Sequence, residues 1–185
     1  MPETAEEVAR VDNISREDAD AFAVRSQELS AKAIEAGYFK DEIVPVTVKH
    51  RKGETVVDTD EGPRAGTTME VLAKLRPVVK GGEVVTAGNS STLNDGSSAI
   101  IVASEAAIEK YGLKARARIV DGGSAGLAPE IMGLGPVPAT EKLLKRQGLT
   151  VDDIAAVELN EAFATQSLAS MRRLGLNQDI VNTWG

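Results

Sequence analysis

Apolar positions between residues 16 and 36 recur at helical spacing: Phe22, Ala23, Leu29, Ala33 and Ile34 form one stripe among polar neighbours. Ser15 stands before the stripe as an N-cap, with Asp18 three residues on as a capping-box carboxylate, and Gly37 is the natural stop. Ile43 to Val48 is a short β-branched run interrupted by Pro45, which predicts an edge strand. Residues 51–68 are charged and carry Gly53, Gly62 and Gly66, so they read as surface excursions. Met69 to Arg76 predicts a short helix closed by Pro77, and Gly81-Gly82 a turn.

The character changes near residue 84. Val84 to Ala87 leads into the small-residue stretch Gly88-Asn89-Ser90-Ser91-Thr92-Leu93-Asn94-Asp95-Gly96. Ser98 to Ala103 is continuously apolar after its first residue, the pattern of a strand buried on both faces. Ser104 caps a helix carrying Ala107, Ile108 and Tyr111 that ends at Gly112, and Ala115 to Val120 predicts a further strand. After the glycine-rich stretch 122–135, Pro138 occupies a first-turn position of a helix that bears Leu143 and Leu144 and stops at Gly148. Thr150 and Asp153 cap another turn. Ile154 to Leu159 predicts a strand, with a helix from Asn160 to about Leu174. From residue 84 onward, strand and helix therefore alternate, which predicts an α/β layered arrangement. Residues 1–83 are mostly helical and more acidic, with 17 acidic and 12 basic side chains, so a boundary is expected near residue 84. Residues 180–185 read as a strand or the turn after one, the expectation for a chain cut short.

Composition narrows the chemistry. At 185 residues, 42% hydrophobic and 26% charged, the chain has ordinary globular composition and can bury a core. A formal charge of −7 argues against nonspecific binding to nucleic acid or anionic lipid, and aromatics at 3% argue against a base-stacking surface. No run of about 18 apolar residues is present to span a membrane. Met1-Pro2-Glu3-Thr4 does not resemble a signal peptide, so the expected compartment is the cytoplasm. There is no cysteine, hence no disulfide, thiolate metal site or thiol nucleophile, and one histidine, His50, hence no triad of histidines for zinc.

His50 lies between Lys49 and Arg51 and reads as a solvated strand end rather than a base. Ser90 and Ser91 lie outside any G-x-S-x-G and lack a histidine partner. The glycines from Gly122 onward match no nucleotide-binding pattern. Glu158 and Glu161 flank Asn160, and a pair of acids suggests proton transfer, although Glu161 at a helix start also complements the helix dipole. Asn160 follows an apolar strand, where functional groups of open α/β sheets gather, yet the spacing fits a plain helix cap equally. The small residues 87–91 allow a ligand close to the backbone, or form an ordinary tight loop.

Three stretches in order carry a resemblance: Thr86-Ala87-Gly88-Asn89-Ser90-Ser91-Thr92-Leu93-Asn94-Asp95-Gly96, Met132-Gly133-Leu134-Gly135-Pro136-Val137-Pro138-Ala139 and Asn160-Glu161-Ala162-Phe163-Ala164. With Ser15 to Ala23 and Phe39 to Pro45, they make the chain resemble a thiolase along essentially its whole length. The resemblance implies two similar α/β halves with a loop domain inserted in the first. Residues 1–83 would be most of the CoA-binding loop domain, 84–120 the end of the N-terminal half, and 121–185 the start of the C-terminal half. It implies interconversion of a 3-ketoacyl-CoA plus CoA with acetyl-CoA and a shortened acyl-CoA, with coenzyme A as substrate, no other cofactor, and a homodimer or homotetramer for the full-length protein.

By the same resemblance Asn160 matches the asparagine that helps form an oxyanion hole through a water. Ser91, Ala87 and Gly88 fall on the loop beside the pantetheine arm, Met132, Ala162 and Phe163 on the acyl and pantetheine pocket, and Arg64 beside the nucleotide end of CoA. The family's nucleophilic cysteine would precede Met1, and its catalytic histidine and second cysteine would follow Gly185. The chain by itself is therefore expected to be inactive, and a non-catalytic CoA-binding or regulatory role is the alternative. Condensing enzymes of the wider superfamily generally carry a histidine where Asn160 stands, which argues against that activity.

Overall fold

A computed structural model describes all 185 residues. Helix α1, Pro2–Asp12, starts on a proline whose missing N–H costs nothing at a first helical position. It ends at Asn13 in the left-handed region (φ 51°), whose N–H reaches back to the Ala9 carbonyl. Helix α2, Arg16–Glu35, begins where the sequence places it, with the Ser15 hydroxyl accepting the Asp18 N–H at 3.0 Å. The stop falls one residue before Gly37, which has φ 74°.

A hairpin follows, in place of the single edge strand expected over 43–48 and the loop expected over 51–57. Strand β1, Val46–His50, pairs antiparallel with β2, Gly53–Val57, in the register Val46↔Val57 to His50↔Gly53. Pro45 stays just outside the ladder, and Gly53 takes the turn at φ 140°, which a side chain would resist. Both strands are exposed along their length. Helix α3 covers only Met69–Leu72, capped by Thr68, which is shorter than the helix expected to Arg76. The chain beyond it is drawn instead into a bridge between Pro77 and Thr86 around the Gly81-Gly82 turn.

Helix α4, Glu105–Tyr111, has the expected Ser104 cap and Gly112 stop. A 3-10 helix over Pro129–Leu134 runs directly into α5, Pro136–Gln147, so Pro136 rather than Pro138 holds the first position. Thr150 and Asp153 form the expected capping box. The last helix, α6, spans Ala164–Leu174, four residues later than expected. The delay has a local cause: Ser91 N–H donates to the Ala162 carbonyl and Ala164 N–H to the Asn89 carbonyl, which keeps the intervening backbone extended.

The three strands expected over 98–103, 115–120 and 154–159 do not form as strands. A strand buried on both faces needs neighbours, and no other part of the chain pairs with the first two runs. Ile100, Ile101 and Ile119 are accordingly 86%, 84% and 73% exposed. The third run makes only a single parallel bridge, Val157↔Val181.

The core is built around α6, where every residue from Ala164 to Met171 is buried. Small residues on α6 let α1, α2 and α5 approach it closely. Ala9, Ile14, Ala19, Phe22, Leu168, Met171 and Val181 form the main cluster. Val8, Leu134 and Ala169 form a second one, where the 3-10 helix over Pro129–Leu134 meets α1. Thr165 Oγ1 donates to the Ala5 carbonyl at 3.1 Å, tying α6 to α1. The C-terminal Trp184 packs on Tyr38 and Phe39 beyond the end of α2, with ring centroids 4.9 and 5.8 Å away.

Glu6 on α1 reaches the turn before the 87–91 loop and accepts the Val84 N–H at 3.1 Å and the Val85 N–H at 2.8 Å. A Cβ on Gly82 would fall 2.6 Å from Glu6 Oε1, so the carboxylate needs glycine there. Asp18 on α2 pairs with Arg172 on α6 at 2.8 Å, and the guanidinium holds its carboxyl below the usual carboxylate range.

Two outcomes follow. Glu6→Ala leaves two amides without an acceptor and should cost about 1–3 kcal/mol in urea unfolding, against less than about 0.5 for exposed Glu3→Ala. The Asp18 contribution is complete above the unfolded-state pKa near 4 and fades as pH falls through the lower folded-state value. Asp18→Asn should therefore cost about 0.2–1 kcal/mol at pH 7 and less at pH 2, read from melting curves at the two pH values.

Candidate functional site

Two adjoining clefts share one wall. The larger, about 680 Å³, lies between α2, the 62–75 segment, the 87–92 loop and residues 158–161. The smaller, about 320 Å³, is lined mainly by apolar groups, among them Met1, Val8, Met132 and Phe163. Leu159 and Asn160 border both.

The 87–91 loop is set by a buried polar network. Asp20, 1% exposed, pairs with Arg16 at 2.7 Å and accepts from Asn89 Nδ2 at 2.9 Å. Asn89 also accepts the Thr86 N–H at 2.8 Å, while Arg16 donates to the Leu72 and Leu75 carbonyls at 2.7 and 3.0 Å. Each buried group is paired, which is the condition for such a network to stabilise rather than weaken a core. Ser90 Oγ is committed to the Thr86 carbonyl at 2.6 Å, so it staples the turn.

The extended segment 157–163 runs between two partners. On one side Val157 N–H donates to the Ile180 carbonyl and Asn182 N–H to the Val157 carbonyl. On the other, residues 89–91 pair with 162–164, with a bridge at Ser90↔Phe163. Asn160 sits where the pairing passes from one side to the other. It is exposed, and its side-chain amide has no hydrogen-bond partner within the chain. It is not a helix cap, because α6 starts at Ala164 with Phe163 in the cap position.

The residues singled out from sequence fall around these clefts. Ala87, Gly88, Ser91, Arg64 and Asn160 line the larger one, and Met132, Ala162, Phe163 and again Asn160 the smaller. Arg64 is exposed, and its backbone N–H is held by Gln27 Oε1 of α2 at 2.8 Å. His50 lies on the exposed hairpin and borders neither cleft. Glu161 does not serve the helix dipole: its two oxygens accept from Ser26 Oγ at 2.6 Å and Asn182 Nδ2 at 2.7 Å. Sequence reasoning missed Met1, Asn182 and Gln166 as cleft residues. Nothing local in the sequence marked Met1 or Asn182. No group of three or more His, Asp or Glu side chains is placed to hold a metal ion.

This arrangement can seat an elongated arm of mixed polar and apolar character in the larger cleft and a short apolar group in the smaller, with a free amide donor at the junction. Comparison with known proteins identifies the family. The family model for the thiolase N-terminal domain matches residues 1–106, and that for the thiolase C-terminal domain matches residues 97–185. The chain belongs to the thiolase family. It is 58% identical to the beta-ketoadipyl-CoA thiolase of Pseudomonas knackmussii over 97% of its own length and 45% of that protein's. It is 52% identical to the acetyl-CoA acetyltransferase of Syntrophomonas wolfei over 93% of its length and 43% of that protein's. The Bacillus anthracis acetyl-CoA acetyltransferase structure superposes with a TM-score of 0.96 at 47% identity, covering all of this chain and 47% of that one. Human mitochondrial 3-ketoacyl-CoA thiolase superposes with a TM-score of 0.93 at 46% identity, over 99% of this chain and 46% of that one. The fold is thus part of the layered α/β thiolase fold. The chain spans a little under half the length of the curated relatives it matches.

Gly88 gives the loop its closeness to α3. A Cβ there would lie 2.5 Å from Leu72 Cδ2 and 2.6 Å from Leu75 Cδ1, and Leu72 is 3% exposed, with little room to move. Gly88→Ala should cost about 1–3 kcal/mol in urea unfolding. Ala87→Ser, at the exposed neighbouring position, should stay within about 0.5 kcal/mol of the parent.

Proposed function

We propose that this chain is the part of an acyl-CoA acetyltransferase that binds coenzyme A and stabilises charge on the thioester oxygen. The whole enzyme would interconvert a 3-ketoacyl-CoA plus CoA with acetyl-CoA and a shortened acyl-CoA. The observation that carries the proposal is the unpartnered Asn160 amide at the junction of a long cleft and an apolar one. Claisen cleavage and synthesis place negative charge on a thioester oxygen. A fixed donor facing that oxygen, directly or through a water, favours the transition state over the ground state. The larger cleft would take the pantetheine arm along Ala87, Gly88 and Ser91, with Arg64 toward the phosphates. The smaller would take the acyl group against Met132, Ala162 and Phe163. Coenzyme A enters as substrate, and no further cofactor is part of the proposal.

The nucleophile is not part of this chain's share. A thiolate forms the acyl-enzyme in such chemistry, and the 185 residues contain no cysteine and one histidine, on the hairpin. That absence also supports a second reading, a CoA-binding protein without catalysis of its own. Within the proposal, residues 1–83 are the loop domain, 84–120 close the N-terminal half and 121–185 open the C-terminal half. The family model for the N-terminal domain ends at residue 106 and that for the C-terminal domain begins at residue 97, both within the middle segment. A cytoplasmic homodimer or homotetramer is the expected setting for the whole enzyme. No helix is long and apolar enough to cross a membrane.

Isothermal calorimetry on the purified chain tests the binding share. Acetyl-CoA should bind, and Arg64→Ala should weaken it on the order of threefold to tenfold while leaving pantetheine unaffected. Acetoacetyl-CoA supplied with CoA should keep its enolate absorbance. An absence of CoA binding, or clear cleavage by the chain alone, would contradict the proposal. The exposed runs at Ile100–Val102 and Ile119–Val120 should also make the isolated chain self-associate, and a strictly monomeric sedimentation profile would count against this division of labour.

A further inference from the structure

Asn160 itself makes no contact that holds it, yet the residues on both sides are clamped by one side chain. Asn182 Oδ1 accepts the Leu159 N–H at 2.7 Å, and Asn182 Nδ2 donates to the Leu159 carbonyl at 2.7 Å. That carbonyl belongs to the peptide bond leading into Asn160, so its plane is fixed directly. The same Nδ2 also donates to Glu161 Oε1 at 2.7 Å, and Glu161 Oε2 accepts from Ser26 Oγ on α2 at 2.6 Å. One residue before Asn160 and one after it are thereby tied to a single amide, and that amide is tied to α2.

Asn182 is 4% exposed and sits in the left-handed region at φ 45°, a conformation asparagine tolerates better than most residues. Its main chain is held as well, by the Val157 carbonyl, and the next pinned point along the segment is the Ala162 carbonyl, which accepts from Ser91 N–H. The only residue between Leu159 and Ala162 left without a hydrogen bond is the one that faces both clefts. A clamp of this form fixes the point and direction from which the Asn160 side chain leaves the backbone, and leaves its amide unspent for a ligand.

We infer that Asn182, working through Glu161 and Ser26, is a positioning residue that sets the direction of the Asn160 amide toward the thioester oxygen. The inference rests on the binding reading above and adds residues that reading does not need.

The test compares two ligands on the intact chain, acetyl-CoA and S-ethyl-CoA, which differ by the carbonyl oxygen. The parent chain should prefer acetyl-CoA about fivefold to tenfold, the value of one directed hydrogen bond. Asn160→Ala should bring the ratio near one. Asn182→Gly keeps the left-handed backbone and removes the amide, and it should also bring the ratio below about twofold. Glu161→Gln can still accept from Asn182 and meet Ser26, so it should retain the preference that Glu161→Ala loses. Should Asn182→Gly fail to fold, the Glu161 pair and Ser26→Ala, which removes one hydroxyl, carry the same comparison. A purely structural role would lower the melting temperature and both affinities together and leave the ratio intact, which would overturn the inference. A parent chain without preference would overturn the Asn160 reading along with it. Loss of preference in Asn160→Ala but in none of the Asn182, Glu161 and Ser26 variants would overturn this inference alone.

Discussion

The extended segment 157–163 is the constraint on which the site depends. It exchanges hydrogen bonds with residues 180–182 on one side and is bridged to 89–91 on the other, and it ends by starting α6, the most deeply buried helix. Its strand-like course is maintained by non-local partners, and a backbone so held cannot turn helical at Asn160. That is why an asparagine that reads as a helix cap stands instead with a free side chain between two clefts. The buried Asp20–Asn89 contact does the matching work for the facing loop, fixing 86–89 against α2.

Features decided within a few residues were legible in the sequence. The Ser15–Asp18 cap, the Ser104 cap with its Gly112 stop, and the Thr150–Asp153 box all satisfy orphaned helix-end N–H or carbonyl groups locally, so residue identity sufficed. Strands were not legible in the same way, because a strand is defined by what lies beside it. Of the hairpin, β1 overlaps the edge strand expected over 43–48, while β2 was hidden in a charged stretch that looked like loop, its alternation short and solvated on both faces. The apolar runs at 98–103 and 115–120 have the composition of buried strands and remain exposed for lack of a neighbour within these residues.

The site divides along the same line. Asn160, the 87–91 loop, Met132 and Phe163 could be named from motifs, because close approach of a ligand restricts residue type over short stretches. Glu161 was visible, but its service could not be read: its partners Ser26 and Asn182 lie 135 and 21 residues away in the chain. Asn182 had no local signal, since its left-handed backbone and its clamp on Leu159 exist only once the terminal run has packed against 157–161.

The central claim is that the Asn160 amide donates toward a developing oxyanion. It is tested most directly by kcat in an active thiolase whose matching segment is replaced by the 179 aligned residues of this chain. Asn160→Ala should lower kcat on the order of 10- to 1000-fold with a smaller change in KM. Asn160→Asp should be at least as damaging, because it sets an acceptor charge beside the forming anion. Full activity in Asn160→Asp would contradict the account.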